Sequence, residues 1–290
     1  MVLLLLVLAA SPAAAAPAPA CVTQMSRPQL DALVKHLHAL PDFSARIDAA
    51  SAAFLTTPYV NDPLGEGPGA QPDPDPTVRY DGVDCVTYVE EVLALSQAPS
   101  IDEAEKLLQH IRYMGDAVAY TDRNHFMESE WIPSNEKKGF VKNVTAQVGG
   151  ADVLHDVRTF TPEQWTARTD AKQLEVLPEN RRPLGKFDLV ALPLDKVEAH
   201  AAAIPEGAIV VVAHKSDDKT SNRYSHLGFV VRHDGQVFVR HASSLKKQVI
   251  EDTLAEFVAK NRKYKDWPVS GFVFLQPLAP AGGAKSASAR

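Results

Sequence analysis

Apolar residues recur at helical spacing through the first half of the chain and at strand spacing in its last third. Leu30, Leu33, Val34 and Leu37 repeat every three or four positions behind a Ser26/Gln29 capping box, which predicts a helix. Ile47, Ala50, Phe54 and Leu55 predict a second one, ended at Thr57-Pro58-Tyr59 by the proline. Val86, Val89, Val92 and Leu93 form a third apolar series, with Asp84 available as N-cap, so that Cys85 falls at the start of that helix. Ser100 and Glu103 make another capping box, followed by the apolar face of Ile101, Ala104, Leu107, Leu108 and Ile111. Between these helices, residues 61–76 are rich in Pro, Gly and Asp and read as a surface loop.

The pattern then changes. AIVVVAH, HLGFVVRH, QVFVRHA and GFVFLQP are short β-branched and aromatic runs separated by turn residues, which predicts an antiparallel sheet. His233-Asp234-Gly235 marks a hairpin between the second and third of them. One more helix is expected from about Thr253 to Lys263. Helices first and strands later is the order of an α+β fold.

The first 20 residues carry no charge, and an apolar run from Val2 to Ala10 gives way to small residues and prolines. The run is shorter than the roughly 20 residues a bilayer span needs, so the segment reads as a secretory signal peptide and the protein as exported, periplasmic or secreted. The expected organisation is a leader at 1–20, an N-terminal helical segment at 21–42, one domain at 43–278 and a disordered tail at 279–290. Cys21, directly after Ala18-Pro19-Ala20, has three readings: a lipid-anchor site, an incidental cysteine, or a disulfide partner for Cys85. With 30 Lys and Arg against 36 Asp and Glu, the net charge of −6 argues against a nucleic-acid partner.

Amide hydrolysis needs a nucleophile, a base and a group that orients the base. A cysteine at a helix N-terminus feels the positive end of the dipole, which favours its thiolate, and Cys85 meets that condition. His226 opens a strand after a polar loop, where it is placed to meet a helix N-terminus. Pairing about the Asp234-Gly235 turn brings His241 roughly opposite His226, with the centre expected between residues 233 and 234. His36, His38, His110, His155 and His200 read as structural. His214 and His233 could join His226 and His241 as metal ligands, but the spacing matches no zinc pattern and no carboxylate is placed to complete one. Neither a metal nor another cofactor is expected.

Taken together, YDGVDCVTYVEEVLAL, HIRYMGDAVAYTDRNHF, WIPSN, SHLGFVV and VFVRHASS resemble the N-acetylmuramoyl-L-alanine amidase-like branch of the NlpC-type cell-wall cysteine hydrolases, from about residue 43 to 276. That resemblance implies a papain-like α+β fold and a peptidoglycan or muropeptide substrate. It implies Cys85 as nucleophile, His226 as general base and His241 as the group that orients it. Tyr59 and Asp84 would border the reacting centre, Asp84 also serving as helix cap, and Ser225 would contact substrate beside the base. Arg123, His125 and Trp131 would line the cleft, Arg123 against a substrate carboxylate and Trp131 against a sugar face. The implied reaction cuts the amide between N-acetylmuramic acid and L-alanine through a thioester. Two alternatives stand beside it: an endopeptidase acting within the stem peptide, and a non-catalytic murein-binding module.

Overall fold

The computed structural model describes residues 21–167, 176–216 and 222–280. The expected leader and all but the first two residues of the expected tail lie outside them, as does part of the polar loop before His226. The helices come first: α1 (Arg27–Ala39), α2 (Phe43–Ala52), α3 (Cys85–Gln97) and α4 (Ile101–Arg112). Shorter pieces follow, namely α5 (Ile132–Lys137), β1 (Val141–Asn143), α6 (Thr145–Gly149), β2 (Leu154–Phe160) and α7 (Pro162–Ala167). The remaining elements are β3 (Gly185–Pro193), β4 (Ile209–His214), β5 (Tyr224–His233), β6 (Gln236–Ser243), β7 (Gln248–Thr253), α8 (Leu254–Asn261) and β8 (Val269–Pro277). The capping boxes act where the sequence has them, Gln29 accepting from the Ser26 amide at 2.8 Å and Glu256 from that of Thr253 at 3.0 Å.

The strands form one antiparallel sheet in the order β2-β3-β8-β4-β5-β6-β7, with β1 paired to β8. The fold is therefore α+β, with a larger sheet than the four apolar runs predict. Strands β1, β2, β3 and β7 were not foreseen, because each mixes polar and apolar residues without a clean alternation. Every residue of β4 is buried, and its alternate side chains serve two cores. Ile209, Val211 and Ala213 pack with α1 to α4 on one face, while Val210 and Val212 pack with Phe257, Phe272 and Phe274 on the other. Helix α3 lies under the sheet with its side chains from Thr87 to Gln97 all buried.

Residues 61–76 form a loop as expected, but it is not merely superficial. Leu64 is fully buried, and its carbonyl accepts from Arg112 at 3.0 Å and from Arg123 at 3.1 Å. Glu66 accepts from the Tyr113 hydroxyl at 2.9 Å, and Asp73 from Arg123 at 2.7 Å. The loop is thus strapped across the front of α3.

Candidate active site

Asp84 sets the start of α3. Its carboxylate accepts from the amides of Val86 at 3.0 Å and Thr87 at 2.8 Å, while the Asp84 amide donates to the Thr87 hydroxyl at 2.9 Å. This cap fixes Cys85 in the first turn without using the Cys85 amide. Both cysteines are free thiols, which removes the disulfide reading, and the Cys21 sulfur sits 3.4 Å from the Thr57 hydroxyl.

The histidines come from the β5–β6 hairpin. Asp234 and Gly235 both have positive φ, 52° and 74°, the backbone of a two-residue hairpin turn. His233 pairs with Gln236 and Phe229 with Arg240, so the centre of the hairpin lies between residues 234 and 235, one position beyond the expected one. His241 consequently stands beside Gly228, diagonal to His226 rather than opposite it. The diagonal is bridged because Gly228 has no side chain: a Cβ there would lie 2.8 Å from that of His241. The two rings meet, His226 Nε2 to His241 Nδ1, at 2.7 Å.

A fourth residue, which sequence reasoning missed, extends this line. Strand β7 places Ile250 opposite His241, and Asp252, two residues on, takes the next diagonal to reach His241 Nε2 at 3.0 Å. Lys260 on α8 donates to the other Asp252 oxygen at 2.5 Å. The only sequence signal was Val249-Ile250 ahead of the Thr253 capping box. Although burial raises the Asp252 carboxyl, the hydrogen bonds from His241 and Lys260 outweigh it and hold it below the usual range. Asp252 is therefore an acceptor, which makes His241 Nε2 the donor. Neutral His241 then accepts at Nδ1 from His226 Nε2–H, and His226 is left with Nδ1 as its basic nitrogen. Burial, and then the repulsion that a protonated His241 would exert, pull His226 down to about 3, against the pull of Asp252.

The Cys85 sulfur lies against the backbone of Leu227, the residue after His226. It makes no hydrogen bond to the His226 ring in this state. Burial, then the neighbouring Asp84 charge, push the thiol up to about 12, against hydrogen bonds from the backbone of Leu227, Cys85 and Val86. The expected dipole-lowered thiol is thus corrected: desolvation and one carboxylate outweigh the helix N-terminus. Tyr59 borders the same sulfur; burial, then the charges of Cys85 and Asp84, push its phenol up to about 12. Its amide donates to the Lys247 carbonyl at 2.9 Å, which ties this segment to the turn after β6.

The remaining expected site residues divide. His125 lines a cavity of about 550 Å³ together with Asp84, Arg112 and Arg123. Its Nε2 pairs with the Tyr120 carbonyl at 2.6 Å, and burial pulls the ring down to about 4. Arg123 also faces that cavity, but its guanidinium is already paired with Glu66 at 3.1 Å and Asp73 at 2.7 Å, so it serves as the clamp on the loop rather than as an open carboxylate receptor. Trp131 is 1% exposed and donates from its ring nitrogen to Glu90 at 2.8 Å, a core position with no face for a sugar. Ser225 points away from His226, as neighbours on a strand do, and meets His214 Nε2 at 2.6 Å. His214 stacks on Trp267, and His233 on Phe238. Among the described residues, no three His, Cys, Asp or Glu side chains gather as a metal ion would require.

Residues 49–264 match the family described as AmiA-like, N-acetylmuramoyl-L-alanine amidase-like. The chain is similar to a solved Legionella pneumophila protein of the DUF1460 family, with 26% identity, 87% of this chain and 94% of that one covered, and a TM-score of 0.75. It is similar in fold to an N-acetylmuramoyl-L-alanine amidase from Bacteroides uniformis, with 24% identity, 81% and 99% covered, and a TM-score of 0.65. No curated protein matches it.

Proposed function

The chain belongs to the AmiA-like, N-acetylmuramoyl-L-alanine amidase-like family, and from that premise we propose that it is a cell-wall amidase that uses Cys85 to cut the amide between N-acetylmuramic acid and L-alanine. The observation that carries this reading is the His226–His241–Asp252 line, which ends one residue from the backbone that contacts the Cys85 sulfur. A cysteine on a helix N-terminus beside the strand that carries the histidine is also the arrangement expected of an NlpC-type, papain-like hydrolase.

The chemistry proceeds from a resting thiol and a neutral imidazole. As the sulfur attacks the lactyl carbonyl, His226 Nδ1 takes its proton, and the imidazolium formed is stabilised through His241 by the Asp252 charge. The Cys85 amide, which the Asp84 cap leaves unused, and the Tyr59 hydroxyl are the donors available to the developing oxyanion. The C–N bond then breaks, His226 gives its proton to the L-alanine nitrogen, and the peptide departs. Water, deprotonated by His226, attacks the thioester; the C–S bond breaks, and the thiol and a muramic-acid carboxylate are regenerated. Apo-state catalytic hydrogen bonds commonly tighten only around substrate, which is the role assigned here to the open gap between Cys85 and His226. The uncharged leader supports export to the compartment that holds the polymer, either free or with Cys21 as a lipid anchor.

Acid quenching during turnover of a muropeptide, followed by intact-mass measurement, tests the thioester. The expected adduct is the muramyl acyl group on Cys85, absent in Cys85→Ala. An adduct carrying a peptide acyl group would assign an endopeptidase instead, and the same turnover in Cys85→Ala would remove cysteine catalysis altogether.

A further inference from the structure

A second cavity adjoins the candidate site from the opposite side. It measures about 450 Å³ and is bounded by His226, His241 and Asp252, by the turn carrying Ser243 to Lys246, and by Lys260 and Lys263 near the end of α8. Its charge is opposite to that of the first cavity. Lys260 offsets Asp252, and among the described residues Lys246 and Lys263 have no acidic partner, so the cavity is net positive in a chain whose formal charge is −6. The first cavity is bordered by Asp62, Asp73, Asp75, Asp84 and Glu90 against Arg112 and Arg123. Both arginines are spent on Glu90, Glu66 and Asp73.

Cys85 lies between the two. Its neighbours Asp84 and Val86 line the acidic cavity, whereas His226 lines the basic one.

We propose that the basic cavity is a carboxylate-binding subsite that receives the peptide half of the substrate through Lys246 and Lys263, leaving the sugar half to the acidic cavity. This rests on the amidase reading, under which the two halves differ in charge. The stem peptide bears carboxylates, and the muramic acid, its own carboxyl tied up in the amide, bears none. Aspartates hydrogen-bond sugar hydroxyls and repel carboxylates, while the lysines attract them. The opposed fields therefore set which end of the substrate enters each side. The same orientation places the leaving L-alanine nitrogen on the side of His226, which must protonate it. Leu245, 80% exposed at the rim, offers an apolar contact to the peptide.

Calorimetry with the Cys85→Ala protein and two probes, N-acetylmuramoyl-L-alanyl-D-glutamate and its diamide, tests this without turnover. The diacid should bind about tenfold more tightly, as expected of two partly exposed ion pairs. Lys246→Glu with Lys263→Glu should abolish that preference and leave the diamide unaffected, and the neutral Lys246→Gln with Lys263→Gln should lie between them. Lys142→Glu, on β1, controls for net charge. Equal affinities for the two probes, a preference that survives the double reversal, or failure to bind either probe would overturn the assignment. Product masses from the wild-type protein report the bond cut: muramyl-alanine cleavage without a charge preference sinks the subsite alone, whereas cleavage elsewhere sinks the amidase reading.

Discussion

Cys85 shows two local forces in competition. The α3 N-terminus favours a thiolate, yet burial and the capping Asp84 charge push the thiol to about 12, and no imidazole touches it at rest. The sign is that of a raised acid: the thiol is protonated at neutral pH, and its reactive form grows with pH. In the free protein, alkylation of Cys85 by iodoacetamide should therefore accelerate about tenfold per pH unit between roughly pH 6 and pH 10. A rate that levels off below pH 8 would mean that a thiolate–imidazolium pair exists before substrate arrives. Asp84 and Cys85 were both legible, because a cap residue before an apolar helical series fixes its first turn. Trp131 and Arg123 were misread for one shared reason. A motif gives residue types in order but not which way they face, and here Glu90 and the 61–76 loop, distant in sequence, turn both side chains inward.

At the level of elements, the hairpin carries the base. Its existence follows from Asp234-Gly235, and its register from the positive φ of both residues; the one-position error in the expected centre converts an opposed pair of histidines into a diagonal one. That diagonal depends on a glycine. A Cβ at residue 228 would lie 2.8 Å from the Arg240 carbonyl and 2.8 Å from His241 Cβ, backbone and side-chain root that cannot swing aside. Gly228→Ala is expected to lose about 1 to 3 kcal/mol of stability, as overpacked cores do, and to lower kcat by displacing His241. Thermal unfolding and steady-state turnover measure the two effects; unchanged values for both would show that the pair does not need the gap. Asp252 was invisible for a related reason. Strand β7 is short and its alternation weak, so nothing local marked Asp252 as facing His241 across the sheet.

On the scale of the whole molecule, one antiparallel sheet with helices on both faces brings together a helix N-terminus from early in the chain and a hairpin from late in it. The order of elements was legible as α+β, since apolar spacing switches from helical to alternating once along the chain. The sheet's extent was not, because in an edge strand such as β2 the usual alternation is inverted, with Val157 on the exposed side and the charged Asp156 and Arg158 on the covered one. The net charge of −6 also conceals a basic cavity beside an acidic one. The central claim is that this assembly is a Cys85-dependent amidase. Mass spectrometry of products from defined muropeptides, with wild-type protein and Cys85→Ala in parallel, tests it most directly. The account predicts release of an intact stem peptide beginning at L-alanine, reduced by about 10⁴-fold or more in Cys85→Ala, as befits loss of a nucleophile. Cleavage inside the peptide, or the same products from both proteins, would contradict it.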